Sequence, residues 1–112
     1  MPALDQYKGR VYSFHSAESL LQGKASKRIG NNTELDRLTH DSIGVLLHRT
    51  YVVVFYRDGK VKLNSGGWQT VTTKDRMNRF SPFQVYQDDH EWYVVTNKGT
   101  VDFEDGMVIQ RG

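Results

Sequence analysis

The sequence predicts a single α+β domain in which an antiparallel β-sheet of five or more strands is accompanied by two short helices. Runs of β-branched and aromatic residues are short and frequent, most clearly in residues 43–57. Turn sequences separate these runs by short connections, which favours antiparallel pairing; they include Asp-Gly at 58–59 and Asn-Lys-Gly at 97–99. Helical features are confined to residues 16–22 and 72–80, and the whole 112-residue length suits one domain.

The N-terminal part begins with a helix and a polar turn. Residues 16–22 form the helix, with Ser16 as its N-cap and Gly23 as its stop. We expect no full capping box, because Ser19 and not a glutamate stands at the third helical position. Residues 24–33 (KASKRIGNNT) predict a basic turn, because glycine and asparagine tolerate positive φ angles.

The central part is predicted to consist mainly of strands. Residues 33–39 alternate weakly between apolar and polar positions and precede a turn at 40–42. Residues 43–50 and 51–57 form either one long strand with a bend or two strands. After the Asp-Gly turn, residues 61–64 are the return strand of a hairpin.

The C-terminal part is predicted to contain the second helix and further hairpins. Thr72 followed by Asp75 resembles a capping box at the start of that helix, and Pro82 stops it. Residues 83–96 form a hairpin, and residues 101–110 supply one or two short terminal strands.

The core is expected to hold the large apolar residues that fall on one face of these elements. Five Phe, six Tyr and two Trp give a chain of this size bulky core material. The residues that we expect to be mostly buried are Leu20, Ile29, Val45, Leu47, Val53, Phe55, Trp68, Met77, Phe80 and Trp92.

Composition excludes several classes of protein. There is no cysteine, so we expect no disulfide framework, no thiolate chemistry and no cysteine-based zinc site. The longest apolar run, residues 51–56, is too short to span a membrane, and the N-terminus lacks the apolar segment of a signal peptide. Residues 57–80 carry six basic and two acidic side chains, whereas residues 83–106 carry six acidic and one basic. These counts predict one basic and one acidic region. The alternative is that both are ordinary solvated faces.

Three segments carry a family resemblance: KRIGNNTELDR (27–37), residues 43–80 and EWYVV (91–95). Together they resemble a set of small, uncharacterised proteins encoded by tailed bacteriophages and prophages. The shared pattern is (K/R)IGNNT, LHxT, DG and NxGGWxTVTTKxR, and it covers about two thirds of the chain, with residues 1–15 outside. The resemblance implies a viral source, an accessory role and a place in the host cell cytoplasm, and it implies no chemistry.

The run from Gly66 to Arg76 is a candidate anion site, because a helix start presents free N–H groups and partial positive charge. It is not a P-loop, since no Gly-Lys-Ser/Thr ends the glycine stretch. The alternative is a structural loop in which Trp68 anchors on the core and Thr72 caps the helix. Residues 24–33 would supply a second phosphate-contacting loop beside it, with a surface connection as the alternative. The candidate ligand-binding residues are Lys27, Arg28, Asn31, Asn32, Gly66, Gly67, Trp68, Thr70, Thr72, Thr73, Lys74 and Arg76.

These features predict a non-enzymatic phage accessory protein that counteracts host defence by binding a phosphate-bearing ligand, either a nucleotide signal or nucleic acid. The alternative is a protein-binding inhibitor of a host defence enzyme such as a nuclease, which uses a strand edge or the acidic region. A third hypothesis is a small hydrolase in which His40 and Asp41 face His48 across a hairpin. We expect no catalytic residue, no metal, no cofactor and no membrane partner, and a homo-oligomer is compatible with the sequence.

Overall fold

The computed structural model describes residues 10–110, which form two helices and nine strands. In chain order these are α1 (Phe14–Leu21), β1 (Ser26–Gly30), β2 (Thr33–Thr39), β3 (Ser42–Leu47), β4 (Thr50–Tyr56), β5 (Lys60–Leu63), α2 (Val71–Arg79), β6 (Gln84–Asp88), β7 (Glu91–Thr96), β8 (Gly99–Asp102) and β9 (Met107–Gln110). Among these residues, neither helix is long and apolar enough to cross a membrane.

The strands form two antiparallel sheets. The larger sheet has six strands in the order β1-β2-β3-β4-β5-β9, and the smaller has three in the order β6-β7-β8. Strands β1 to β5 pair in chain order through tight turns, as do β6 to β8, and β9 returns from the end of the described chain to pair with β5. The predicted α+β class, with an antiparallel sheet of at least five strands and two short helices, is therefore confirmed.

The core lies between the inner face of the six-stranded sheet and the two helices. Because side chains alternate along a strand, Ile43 and Val45 point inward and Gly44 lies on the outer face. A bulge in the β3–β4 pairing lets Val52 and Val53 both reach the core. The helices add the buried residues Phe14, Ala17, Leu21, Thr73, Arg76 and Met77.

The predicted core is largely confirmed. Eight of the residues named from the sequence are buried: Ile29, Val45, Leu47, Val53, Phe55, Met77, Phe80 and Trp92. Leu20 is only partly buried. Trp68 is 69% exposed, so the prediction that it is buried was wrong.

The first helix begins two residues earlier than predicted. Ser13, not Ser16, is the N-cap, since its side chain accepts a hydrogen bond from the Ser16 amide. The Ser16 hydroxyl accepts in turn from the Ser13 amide, so a complete capping box is present and the expectation of none was wrong. A serine at the third helical position thus performs the role that glutamate usually has. The helix ends at Gln22, which adopts a left-handed conformation before Gly23.

The segment predicted as a basic turn, residues 24–33, is mostly strand. Residues 26–30 form β1 and pair with β2, and the turn is confined to Asn31 and Asn32. Pairing with the next strand, β2, overrode a composition that is typical of turns. Residues 43–57 form two strands, β3 and β4, joined by the two-residue turn His48–Arg49.

Candidate functional site

A pocket of about 470 Å³ lies where the β3–β4 turn meets residues 64–70, here called the Gly-Gly-Trp loop, and the start of α2. Leu47 and Val52 form an apolar floor. None of the described residues that line it carries a carboxylate. We call it the loop pocket, and its lining residues are Leu47, His48, Arg49, Thr50, Val52, Ser65, Trp68, Thr70, Thr72 and Thr73.

The Gly-Gly-Trp loop is fixed at Ser65. The Ser65 backbone N–H and hydroxyl both donate to the Asp105 carboxylate, at 2.8 and 2.6 Å. Gly66 follows with a φ of +64°, and a Cβ there would stand 2.6 Å from the Thr50 hydroxyl oxygen. Only glycine meets both conditions, so the loop lies directly against the start of β4.

Trp68 is exposed because of this geometry. Two successive left-handed glycines, Gly66 and Gly67, reverse the chain, and the Trp68 amide donates to the Ser65 carbonyl. The loop is therefore held by Ser65 and Asp105, and the indole is left on the pocket wall in contact with solvent. The interpretation of Trp68 as a core anchor is replaced by one in which it offers an aromatic surface.

The start of α2 is capped by Thr70, two residues before the predicted cap Thr72. The Thr70 side chain accepts from the Thr73 amide at 3.2 Å. The amides of Val71 and Thr72 have no intrahelical acceptor, as at every helix start. Asp75 lies on the second turn and accepts from Arg76 and Arg79, so it does not occupy these amides. The predicted Thr72–Asp75 capping pair was therefore wrong.

The two α2 cations nominated from the sequence lie outside the loop pocket. Arg76 is buried, and it donates to the Thr33 hydroxyl at 2.9 Å, to the Asn31 carbonyl at 3.3 Å and to Asp75. The Lys74 ammonium lies 3.5 Å from the Gln87 side-chain oxygen and 5.7 Å from the centre of the Trp92 ring. Arg76 thus joins α2 to the β1–β2 turn, and Lys74 reaches toward the smaller sheet.

The candidates on β1 and its turn lie in a neighbouring depression. Arg28 and Asn32 help to line a cavity of about 250 Å³ that shares His48 with the loop pocket. The His48 amide donates to the Asn32 carbonyl at 3.1 Å, which holds the two turns side by side. Asn31 uses its carbonyl to accept from Arg76, while Lys27 lies half-buried on β1 opposite Leu35. Of the nominated residues, the loop pocket gathers Trp68, Thr70, Thr72 and Thr73.

The cation that the sequence analysis missed is Arg49. It is exposed in the two-residue β3–β4 turn, and its side chain makes no hydrogen bond or ion pair with another described residue. A reading of residues 43–57 as two strands joined by a two-residue turn would have placed this arginine at the tip of a hairpin. Its position beside Ser65 and Trp68 depends on sheet pairing, which local sequence does not specify.

The hydrolase hypothesis required His40, Asp41 and His48 to face one another. His40 and Asp41 occupy the β2–β3 turn, where Arg57 donates to the Asp41 carboxylate and to the His40 carbonyl, both at 2.8 Å. His48 follows the other end of β3, so roughly 17 Å of strand lies between them. That expected juxtaposition was wrong. Within residues 10–110, no group of His, Asp and Glu is arranged to hold a metal.

A pair of carboxylates lies on the outer face of the six-stranded sheet. The Tyr51 hydroxyl donates to one Asp36 oxygen at 2.8 Å. Burial is the main cause that raises the pKa of Tyr51 to about 12, and this hydrogen bond is the second. The other Asp36 oxygen is buried, and it accepts no hydrogen bond from the residues that the structure describes. A protonated Glu34 can donate a hydrogen bond to Asp36, and this raises the pKa of Glu34 above its ordinary value, with burial contributing in the same direction.

The raised pKa of Glu34 predicts a pH dependence of stability. The folded state binds the Glu34 proton more tightly than the unfolded chain, whose pKa is 4.5. This stabilisation is complete below that value and is lost as the pH rises through the folded pKa. Glu34→Gln should therefore flatten the stability–pH curve above about pH 4.5, as measured by urea unfolding. The exposed control Glu104→Gln should not flatten it; equal curves for wild type and Glu34→Gln would contradict the prediction.

Comparison with known proteins adds a family to this geometry. The model of the Kyanoviridae Gp96 protein family matches residues 13–110. Neither a curated protein nor a solved structure matches the chain. The match runs from the N-cap of α1 to the last residue of β9, so it includes both sheets and every residue of the loop pocket. The chain therefore belongs to the Kyanoviridae Gp96 family of bacteriophage proteins.

Proposed function

We propose that this phage accessory protein binds a phosphate-bearing ligand, a nucleotide signal or nucleic acid, in the loop pocket, and that it counteracts host defence by sequestering that ligand. One observation carries the proposal. An exposed tryptophan, a helix start, four threonines and an arginine without an ion-pair partner among the described residues line one pocket, and no described carboxylate does. Base, sugar and phosphate each have a matching group there.

Trp68 supplies the surface for a base. Its 69% exposure leaves much of the indole face available, and the fixed loop keeps it beside the apolar floor. Stacking of a base on an aromatic side chain contributes about 1–3 kcal/mol and tolerates any base. A ligand with a purine or pyrimidine ring would therefore gain affinity at this wall.

The start of α2 and Arg49 supply the contacts to phosphate. The unpaired amides of Val71 and Thr72 favour an anion by up to about 1 kcal/mol where exposed. A well-placed bond from Arg49 contributes roughly 1.5–3 kcal/mol. With base stacking, these terms sum to at most about 7 kcal/mol before the costs of association, so we expect binding weaker than micromolar. Arg49 thus takes the role first given to Lys74 and Arg76.

Arg49→Ala should weaken binding of the ligand roughly tenfold or more, since it removes one charge-assisted contact. Calorimetry at low salt against mono-, di- and cyclic nucleotides and short oligonucleotides measures this. Lys98→Ala is the matched control, because it removes one positive charge from an exposed turn of the smaller sheet. If wild type binds none of these compounds, the proposed function is wrong. Equal affinities of the two variants would exclude the loop pocket as the binding site.

A second candidate function, inhibition of a host defence enzyme by protein binding, is favoured by β8. This strand ends the smaller sheet, all four of its residues are exposed, and Val101 is 43% exposed. Such an edge can pair with a strand of another protein. Acidic residues at Asp102 and Glu104 would suit a basic partner. Co-purification from infected cells of a host protein, without nucleotide absorbance at 260 nm, would favour this candidate over ligand binding.

A further inference from the structure

A further cavity, of about 580 Å³, lies on the outer face of the six-stranded sheet. The helices bury their apolar residues in the core on the inner face, so neither of them covers this cavity. We call it the outer groove, and the lining residues that matter for its chemistry are Leu38, Arg49, Tyr51, Val54, Tyr56 and Lys62. It combines apolar and aromatic side chains with two cations.

We propose that the outer groove holds the continuation of a single-stranded nucleic acid, one nucleotide of which occupies the loop pocket. This inference rests on the proposed function, and it narrows the ligand from any phosphate-bearing compound to a single-stranded nucleic acid. Arg49 and Thr50 line both cavities, so the two adjoin at the start of β4. A chain of nucleotides can follow this path, whereas a mononucleotide needs only the loop pocket.

Tyr51 is held rigidly in the outer groove. Its hydroxyl donates to Asp36 at 2.8 Å, and its ring lies on Gly44, where a Cβ would stand 2.6 Å from the ring edge. Tyr56 lines the same groove from the other end of β4. Aromatic side chains that are fixed before binding lose little conformational freedom when a base stacks on them.

The charges of the outer groove favour a polyanion. The side chains of Arg49 and Lys62 make no hydrogen bond or ion pair with another described residue. Nearby cations of the same sheet are neutralised, since Arg57 pairs with Asp41 and Lys60 with Asp58. No described residue that lines the groove carries a carboxylate, and Asp36 accepts from Tyr51 beside it. Phosphates of a strand would therefore meet two cations without ion-pair partners among the described residues, while the Asp36 and Glu34 carboxylates lie on the same face of the sheet and do not line the groove.

The test compares thymidine 5′-monophosphate with a 5′-phosphorylated oligothymidylate of about eight nucleotides, within the usual length of single-strand sites. The oligonucleotide should bind roughly tenfold more tightly than the mononucleotide. Lys62→Ala should weaken the oligonucleotide severalfold and leave the mononucleotide unchanged. It should also lower the slope of log affinity against log salt by about 0.7, which is the loss of one phosphate contact. Lys98→Ala should change neither affinity.

The outcomes separate this inference from the proposed function. If the mononucleotide binds and the oligonucleotide binds no more tightly, the outer groove is not a strand site, while the loop pocket remains one. If neither compound binds, this inference fails, and the calorimetry against mono-, di- and cyclic nucleotides decides whether the proposed function fails as well. Oligonucleotide binding that is lowered by Lys62→Ala but not by Arg49→Ala would contradict a path that joins the two cavities. A Lys62→Ala variant that retains full oligonucleotide affinity and salt dependence would also overturn the inference.

Discussion

The Arg76→Ala variant is expected to lose roughly 3–5 kcal/mol of its free energy of unfolding, because it removes one member of a buried network. The Arg76 side chain is only 7% exposed and donates to Thr33, Asn31 and Asp75. Its loss leaves a cavity and removes the polar link between α2 and the β1–β2 turn. Arg79 still donates to Asp75, so we expect the lower part of that range. Urea unfolding measures the change.

Two further variants distinguish a structural from a ligand-binding role for Arg76. Arg76→Lys keeps the charge but cannot serve Thr33 and Asn31 together, so it should lie between Arg76→Ala and wild type in stability. Arg79→Ala also removes a partner of Asp75, yet from a more exposed site, and it should cost less. An Arg76→Ala protein that unfolds like wild type but has lost its ligand would restore the sequence-based assignment of Arg76 to the anion site.

The fold was predictable because its determinants are local. The apolar runs of β3 and β4, the Asp-Gly turn before β5 and the hairpin of β6 and β7 each specify their own geometry. Strand β1 escaped prediction because SKRIG followed by Asn-Asn has turn-like composition, and only pairing with β2 makes it extended. The N-cap of α1 was displaced by three residues and that of α2 by two, since several serines and threonines compete for each N-cap.

The candidate site was half predictable for a related reason. The Gly-Gly-Trp loop and the helix start were identified because consecutive glycines predict a loop and threonine hydroxyls predict a helix cap, and both can be seen in the sequence alone. The direction of Trp68 depends on a bond between Ser65 and the distant Asp105, and the role of Arg49 depends on the pairing of three strands. Such long-range contacts decide which cation is buried and which faces the pocket: Arg76 is buried, and Arg49, which had been given no role from the sequence, lines the pocket.

Phe80 and Trp68 are expected to differ most in how much their replacement by alanine lowers the free energy of unfolding. Phe80→Ala should lower the free energy of unfolding by roughly 3–5 kcal/mol, because the fully buried ring ends α2 within the core. Trp68→Ala removes an even larger side chain, but one that is 69% exposed, so stability should change by about 0.5 kcal/mol or less.

Thermal and urea unfolding of the two variants, together with ligand calorimetry on Trp68→Ala, tests both the fold and the site. Phe80→Ala takes away much of the stability of a small domain, whereas Trp68→Ala should stay folded and bind its ligand roughly tenfold more weakly. If Trp68→Ala is as destabilised as Phe80→Ala, the indole packs against the core in solution. The wall of the loop pocket would then be closed, and with it the surface on which a base is proposed to stack.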